Sequence, residues 1–137
     1  MPRWIGVDLG TRRIGLALSD SKGTLATPYL TLDRTSDEHD ARAIAEIAAA
    51  ERVKEVVLGH PLKLDGTRGA AAFVTEAFAE KLKAAGAKVK LFDERLTTVE
   101  ATKKLQSKGV KARQQRGRID KAAATVLLQA FLDTKKR

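Results

Sequence analysis

The chain has 137 residues, of which 43% are hydrophobic, and it contains no cysteine. That length suits one domain with a self-sufficient core, and we expect residues 1–137 to form a single domain. The absence of cysteine excludes disulfides, thiolate zinc sites and cysteine nucleophiles, and it is typical of a reducing cytoplasm. No signal peptide is recognisable and the apolar runs are shorter than the roughly 20 residues of a transmembrane helix. We therefore expect a cytoplasmic location and no membrane partner.

The net charge of +9 is concentrated in the last third of the chain. Residues 1–94 hold 14 Lys and Arg against 14 Asp and Glu, whereas residues 95–137 hold 12 against 3. A basic segment on a neutral body is typical of a protein that binds a polyanion. The aromatic content of 4% argues against base stacking as the main mode of binding. The alternative is a basic surface that only maintains solubility.

The first three predicted strands form an antiparallel meander. Residues 4–9 are predicted to form a strand buried on both faces, and residues 14–19 a second strand after a tight turn. A third extended run covers residues 24–32. Because Pro28 cannot donate a hydrogen bond to a central ladder, we expect this third strand at an edge of the sheet.

Helices and strands alternate in the middle of the chain. Capping-box spacing at residues 35–38 predicts a helix that ends near residue 51. The strand at residues 55–59 is expected to lie parallel to the first strand under the crossover rule. A helix over residues 67–85 and an edge strand over residues 88–93 follow. On the predicted face of this second helix, the residues expected to be buried are Phe73, Ala77, Phe78 and Leu82.

The last part of the chain is predicted to contain a helix over residues 97–109, a basic loop over residues 111–118, and a final helix with Asp120 in its first turn. The loop is predicted because this run has no apolar period and is rich in cations. Taken together, the elements predict an α/β three-layer domain. Its five-stranded mixed sheet has an antiparallel meander followed by parallel strands, and helices flank it.

An acid interrupts the apolar pattern of the first strand. An ionised Asp8 buried in a strand costs several kcal/mol without a compensating partner. A structural ion pair with Arg12 or Arg13, in the turn that follows, is one explanation. A functional site is the other, because strongly perturbed acids concentrate at such sites.

Acids fall at three places that this topology can bring together. Asp8 lies on the central strand, Asp93 and Glu94 end the last strand, and Asp120 begins the last helix. Open α/β sheets gather their sites at the carboxyl ends of the strands. Converging carboxylates are hard ligands for Mg²⁺ or Mn²⁺. Beside a basic segment they favour phosphodiester hydrolysis assisted by metal ions, where two ions about 4 Å apart can activate water.

Each of these acids also has a purely structural explanation. Asp120 in the first turn of a helix can complement the helix dipole, which is worth about 0.3–1 kcal/mol. Asp93 can pair with Arg95 or accept loop amides. His60 precedes a proline and has no second histidine at ligand spacing, so a loop contact is expected for it.

Four segments resemble, in order and spacing, the motifs of the YqgF (RuvX) family. They are DLGTRRIG at residues 8–15, GHPLKLDG at 59–66, DERLTT at 93–98 and RIDKAAATVLLQ at 118–129. The resemblance covers nearly the whole chain. It implies a ribonuclease H-like fold and a cytoplasmic bacterial nuclease that resolves Holliday junctions or processes the precursor of 16S ribosomal RNA.

The resemblance also implies the site residues. By position, the catalytic acids and metal ligands are Asp8, Glu94 and Asp120, with Asp93 as an accessory. Gly59 stands where related resolvases carry an acid, and His60 departs from the apolar residue usual in the family. The expected partners are precursor ribosomal RNA or branched DNA, bound by a monomer or a homodimer. From their charge, the residues expected to contact nucleic acid are Arg12, Arg13, Lys111, Arg113, Arg116 and Arg118.

Two other functions are compatible with the sequence. Residues 8–11 also resemble the first phosphate motif of actin-like ATPases, which predicts a nucleotide-binding module. A chain of this length supplies only one of the two domains that those enzymes close over a nucleotide. The second is a nucleic-acid-binding factor without catalytic activity, in which the acids serve only the structure.

Overall fold

The computed structural model describes the backbone of residues 3–97 and 112–135, and the side chains of residues 3–97 and 121–135. These parts contain five strands, three helices and one short 3-10 turn at Glu94–Leu96. The strands are β1 (Arg3–Leu9), β2 (Arg13–Ser19), β3 (Ala26–Asp33), β4 (Val53–His60) and β5 (Val89–Asp93). The helices are α1 (Asp37–Ala50), α2 (Ala70–Ala84) and α3 (Ala112–Thr134).

The five strands form one mixed sheet in the order β3-β2-β1-β4-β5. The pairs β1–β2 and β2–β3 are antiparallel, whereas β1–β4 and β4–β5 are parallel. The predicted meander followed by parallel strands is therefore confirmed. Pro28 lies in β3, at an edge of the sheet as expected.

Helices cover both faces of the sheet, which confirms the three-layer prediction. One core cluster joins the sheet to α1 and α2 and includes Ile5 and Val7. The other joins the opposite face to α3 and includes Trp4. Successive residues of a strand point to opposite faces, so Gly6 and Asp8 occupy the same face as Trp4, toward α3.

Helix α3 packs directly on the backbone of β1 and runs in the opposite direction to it. A Cβ atom added at Gly6 would lie 2.8 Å from Leu128 Cβ and 3.0 Å from the Ala124 carbonyl oxygen. At the start of β1, the centre of the Trp4 ring lies 6.2 Å from the centre of the Phe131 ring. The N-terminal half of α3 therefore points toward the carboxyl end of β1.

The buried face of α2 differs from the predicted one. Phe78 and Leu82 are buried as expected, but Ala77 is exposed and the Phe73 side chain is 52% exposed. The residues of α2 that pack inward are Ala72, Thr75, Phe78, Ala79 and Leu82. Ala72 and Thr75 take the inward positions in the first turns of the helix, which leaves Phe73 outside. Periodicity alone could not choose between two overlapping apolar stripes.

Two helix beginnings also differ from the predictions. In α1 the N-cap is Ser36, one residue after the expected position, and its hydroxyl accepts from the His39 amide at 3.1 Å. Helix α2 begins at Ala70 rather than near residue 67. The preceding residues are held in a turn, in which the Lys63 amide donates to the Thr67 carbonyl at 3.0 Å and the Gly66 amide donates to the Lys63 carbonyl at 2.8 Å.

The prediction of a basic loop over residues 111–118 is wrong for residues 112–118, which belong to α3. Alanine, arginine and glutamine are good helix formers, and a helix extends at little cost from a packed segment. Asp120 is therefore the ninth residue of α3 and not in its first turn. Its proposed role as a dipole partner loses its basis, because that effect falls off within the first turn.

The predicted helix over residues 97–109 falls almost entirely outside the described residues, as does Lys111. The positions of the Arg113, Arg116 and Arg118 side chains also lie outside them. Within the described part of the chain, no helix is both long enough and apolar enough to cross a membrane.

Candidate active site

Asp8 lies at the carboxyl end of the central strand. It is the penultimate residue of β1, is half-buried, and pairs across the sheet with Gly15 of β2. The turn that follows is closed by a hydrogen bond from the Gly10 amide to the Arg13 carbonyl, 2.9 Å long. The turn presents an exposed Arg12 and a half-buried Arg13 close to the acid.

Glu94 meets Asp8 by crossing the strand that separates them. Strand β4 lies between β1 and β5, and Glu94 follows the last residue of β5. A Cβ atom added at Gly59 of β4 would lie only 2.5 Å from Glu94 Oε1, so the Glu94 side chain rests on bare backbone. The two carboxyl groups share a hydrogen bond. The absence of a side chain at Gly59 is what allows them to meet.

The environment of Glu94 disfavours its ionised form. Burial raises the pKa of Glu94 from 4.5 to about 7, and the charge of Asp8, their hydrogen bond and the charge of Asp93 add to the effect. Two neighbouring carboxyl groups share one proton because their negative charges would repel each other at short range if both were ionised. At neutral pH the pair is therefore partly protonated in the absence of a cation.

Asp93 has a different role from its neighbour. Its carboxylate caps the 3-10 turn by accepting from the Arg95 amide at 2.9 Å, and it binds the Arg95 guanidinium at 2.6 Å. The hydrogen bond from the Arg95 side chain lowers the pKa of Asp93, against the opposing effect of burial. The expected pairing of Asp93 with Arg95 and a loop amide is confirmed. This pairing fixes the turn that carries Glu94.

A cleft of about 390 Å³ opens beside the two acids. Its walls come from the β1–β2 turn, the loop after β4 and the start of α2. The lining residues include Asp8, Glu94, Arg34, Pro61, Val74 and Thr75. The cleft lies at the carboxyl edge of the sheet, where the topology predicted a site.

Arg34 is a cleft residue that the sequence did not reveal. Its guanidinium binds Asp40 at 3.2 Å and Asp37 at 2.5 Å, and it lies 3.4 Å from the Gly10 carbonyl oxygen. Asp40 is only 3% exposed and also accepts from the Thr35 amide. Arg34 is thus held in a fixed position in the cleft wall, with its charge balanced by Asp37 and Asp40. In the sequence, the only signal for a fixed Arg34 is the pair of acids three and six residues after it. The same acids are equally typical of the first turn of a helix such as α1.

His60 connects the end of β4 to α2. Its Nε2 lies 2.8 Å from Glu76 Oε2, and Glu76 also receives two hydrogen bonds from Arg68. A loop contact was expected for His60, whereas its observed partner lies on helix α2.

No group of three or more His, Cys, Asp or Glu side chains in residues 3–97 and 121–135 is arranged to hold a metal ion. Two of the three predicted metal ligands, Asp8 and Glu94, lie in these described ranges and contact each other. The third, Asp120, has its backbone in α3 and its side chain outside the described residues.

The comparisons with known sequences agree on one family. Residues 2–134 match the family profile described as "RuvX: Holliday junction resolvase". A protein of Anaeromyxobacter sp. (strain K) named "Putative pre-16S rRNA nuclease" is 46% identical over 132 residues, which cover 96% of each chain. A protein of the same name from Leifsonia xyli subsp. xyli is 47% identical over 133 residues, which cover 96% of this chain and 86% of the relative.

Comparison with solved structures confirms the ribonuclease H-like fold. RuvC of T. thermophilus, in complex with Holliday junction substrate, superposes with a TM-score of 0.61 at 14% identity, covering 99% of this chain and 97% of that one. The Fowlpox virus resolvase in its Holliday junction DNA complex gives 0.60 at 12% identity, covering 98% and 99%. At these identities the likeness concerns the fold alone.

Proposed function

Because this chain belongs to the RuvX family of Holliday junction resolvases, we propose that it is a divalent-metal-dependent nuclease whose catalytic acids are Asp8, Glu94 and Asp120. The observation that carries the proposal is the contact between Asp8 and Glu94 across Gly59. Two carboxyl groups forced together at a strand end, one with a pKa of about 7, form an arrangement that a cation would stabilise. Structural ion pairing alone does not account for two acids that face each other.

The donor set fits Mg²⁺ or Mn²⁺. Carboxylate oxygens are the ligands these hard cations prefer, and the described residues that line the cleft include no thiol or histidine for a softer metal. Asp8 and Glu94 would hold the ion, with Asp120 as a further ligand. When bound, Mg²⁺ or Mn²⁺ supplies activation of water and stabilisation of the leaving oxygen.

The backbone supports Asp120 as the third acid. Helix α3 runs opposite to β1, with Ala124 beside Gly6. Residue 120 lies one turn, about 6 Å, further along α3 toward the end of β1 that carries Asp8. Asp8 also occupies the face of the sheet that α3 covers.

The chain's own residues prepare the cleft for a phosphodiester. The Asp93–Arg95 pair fixes the turn that carries Glu94. Arg34, whose charge is balanced by Asp37 and Asp40, lines the cleft as a fixed hydrogen-bond donor for a phosphate oxygen. We propose that further phosphates are bound by two groups of cations, one on the β1–β2 turn and one in residues 111–118. These groups are Arg12 and Arg13, and Lys111, Arg113, Arg116 and Arg118.

We propose precursor 16S ribosomal RNA as the substrate, because relatives at 46–47% identity carry that name. A four-way DNA junction is the second candidate, favoured by the description of the family profile. We propose the cytoplasm as the site of action, where precursor ribosomal RNA is available. A single domain over residues 1–137 remains our prediction.

The test is cleavage by the purified wild-type protein of a precursor 16S fragment and a four-way DNA junction, side by side. Each substrate is incubated with Mg²⁺, with Mn²⁺ and with a chelator. We expect cleavage of the RNA with either cation and none with the chelator. Preferential cleavage of the junction would move the assignment to branched DNA. Binding without cleavage under all conditions would favour a non-catalytic factor, and binding of a nucleoside triphosphate would favour the nucleotide-binding alternative.

A further inference from the structure

Phe73 is a large apolar side chain that the fold leaves outside the core. It lies in the first turn of α2 and is 52% exposed. The guanidinium carbon of Arg68 lies 4.4 Å from the centre of its ring, which is the geometry of a cation–π contact. Neither residue has a part in the metal-dependent chemistry. The pair forms an outward-facing surface of an aromatic ring and a cation.

The Arg68 side chain is held in one position by hydrogen bonds. Its Nε donates to Glu76 Oε2 at 2.9 Å and its Nη2 donates to Glu76 Oε1 at 2.6 Å. Glu76 is anchored in turn by His60 at the end of β4. A two-point contact of this kind fixes the plane of the guanidinium as well as its position. Arg68 nevertheless remains 53% exposed, so its outer surface is accessible.

The pair lies next to the cleft that contains the acids. Val74 follows Phe73 in α2, is 53% exposed, and lines the cleft together with Asp8 and Glu94. Phe73 is therefore one residue along α2 from the cleft wall. A nucleic acid strand that leaves the cleft along α2 would pass Phe73 and Arg68.

We propose that Phe73 and Arg68 form a stacking site for one unpaired nucleobase of the substrate strand. Bases that are not paired stack on aromatic rings and on guanidinium planes, whereas paired bases present no free face. One such site is compatible with the low aromatic content, which argues only against stacking as the main mode of binding. The inference rests on the proposed function in one respect, because it takes nucleic acid as the occupant of the cleft.

The test compares the binding of single-stranded and duplex RNA of equal length in chelator, so that no cleavage occurs. Stacking on one aromatic residue is worth about 1–3 kcal/mol, or roughly fivefold to 150-fold in Kd. We expect Phe73→Ala to weaken single-strand binding by a factor in this range and to leave duplex binding unchanged. Phe73→Trp should retain the affinity, and its fluorescence should be quenched by the single strand. Leu64→Ala is the matched control, because Leu64 is 96% exposed in the neighbouring loop and makes no such stack.

A second variant separates stacking from charge. Arg68→Lys keeps the positive charge but loses the planar group, so single-strand affinity should fall while the salt dependence stays unchanged. The proposal is overturned if Phe73→Ala binds single strands as the wild type does, which would favour a protein partner for this surface. It is also overturned if both RNA forms lose affinity equally. Because the assay involves no cleavage, its outcome is independent of whether the protein is a metal-dependent nuclease.

Discussion

Replacing Glu94 by glutamine should stabilise the metal-free protein at alkaline pH. Below pH 4.5 the Glu94 carboxyl is protonated in both the folded and the unfolded chain. As the pH rises toward 7, the unfolded chain releases this proton while the folded protein, in which the pKa of Glu94 is about 7, retains it. The free energy of unfolding therefore falls over this window, by about 3 kcal/mol in total. Glutamine never ionises, so the variant avoids the loss and keeps a hydrogen-bonding group beside Asp8.

The assay is urea unfolding in chelator at pH 5 and pH 8. At pH 5 the gain from Glu94→Gln should be below about 1 kcal/mol, whereas at pH 8 it should approach 3 kcal/mol. Asp93→Asn is the matched control, because the Arg95 hydrogen bond lowers the pKa of Asp93. Its stabilising contribution is present above the unfolded pKa and is lost on acidification, so Asp93→Asn should destabilise the protein at pH 8. A Glu94→Gln protein that is equally or less stable than the wild type at pH 8 would show that Glu94 does not retain its proton in the folded protein.

Two further variants test the cleft and the basic segment. Gly59→Ala should cost little stability, because the three atoms nearest to the added Cβ all belong to the flexible Glu94 side chain. It should lower the cleavage rate by roughly tenfold or more, because it displaces Glu94. An unchanged rate would mean that Glu94 need not cross Gly59. Alanine at Lys111, Arg113, Arg116 and Arg118 together should flatten the log-log salt slope of binding by about 0.7–0.9 per lost phosphate contact. An unchanged slope would place the binding surface elsewhere, with Arg12 and Arg13 the next candidates.

The sheet could be predicted from the sequence because its signals are local. Apolar runs bounded by glycine turns located β1, β2 and β4, and Pro28 correctly placed β3 at an edge. The crossover rule then gave the direction of β4. These features depend on residues close together in the chain, so no tertiary information was needed.

The features that the sequence did not determine either lack a local signal or depend on contacts between distant segments. The exposure of Phe73 depends on which face of α2 packs inward, and residues 112–118 have no apolar periodicity from which a helix could be predicted. Residue parity could not choose between Asp93 and Glu94. The structure brings Glu94 to Asp8 because Gly59, distant in sequence from both, has no side chain.

The most direct test of the account is a comparison of turnover by Asp8→Asn, Glu94→Gln and Asp93→Asn proteins, each with saturating Mg²⁺ or Mn²⁺. If Asp8 and Glu94 hold the metal, the first two variants should bind substrate but not cleave it, and they should show weaker Mn²⁺ binding in calorimetric titrations. Asp93→Asn should lose activity only partly, because it loosens the turn that carries Glu94. Cleavage at the wild-type rate by Asp8→Asn, or an active Glu94→Gln beside an inactive Asp93→Asn, would contradict the proposed pair.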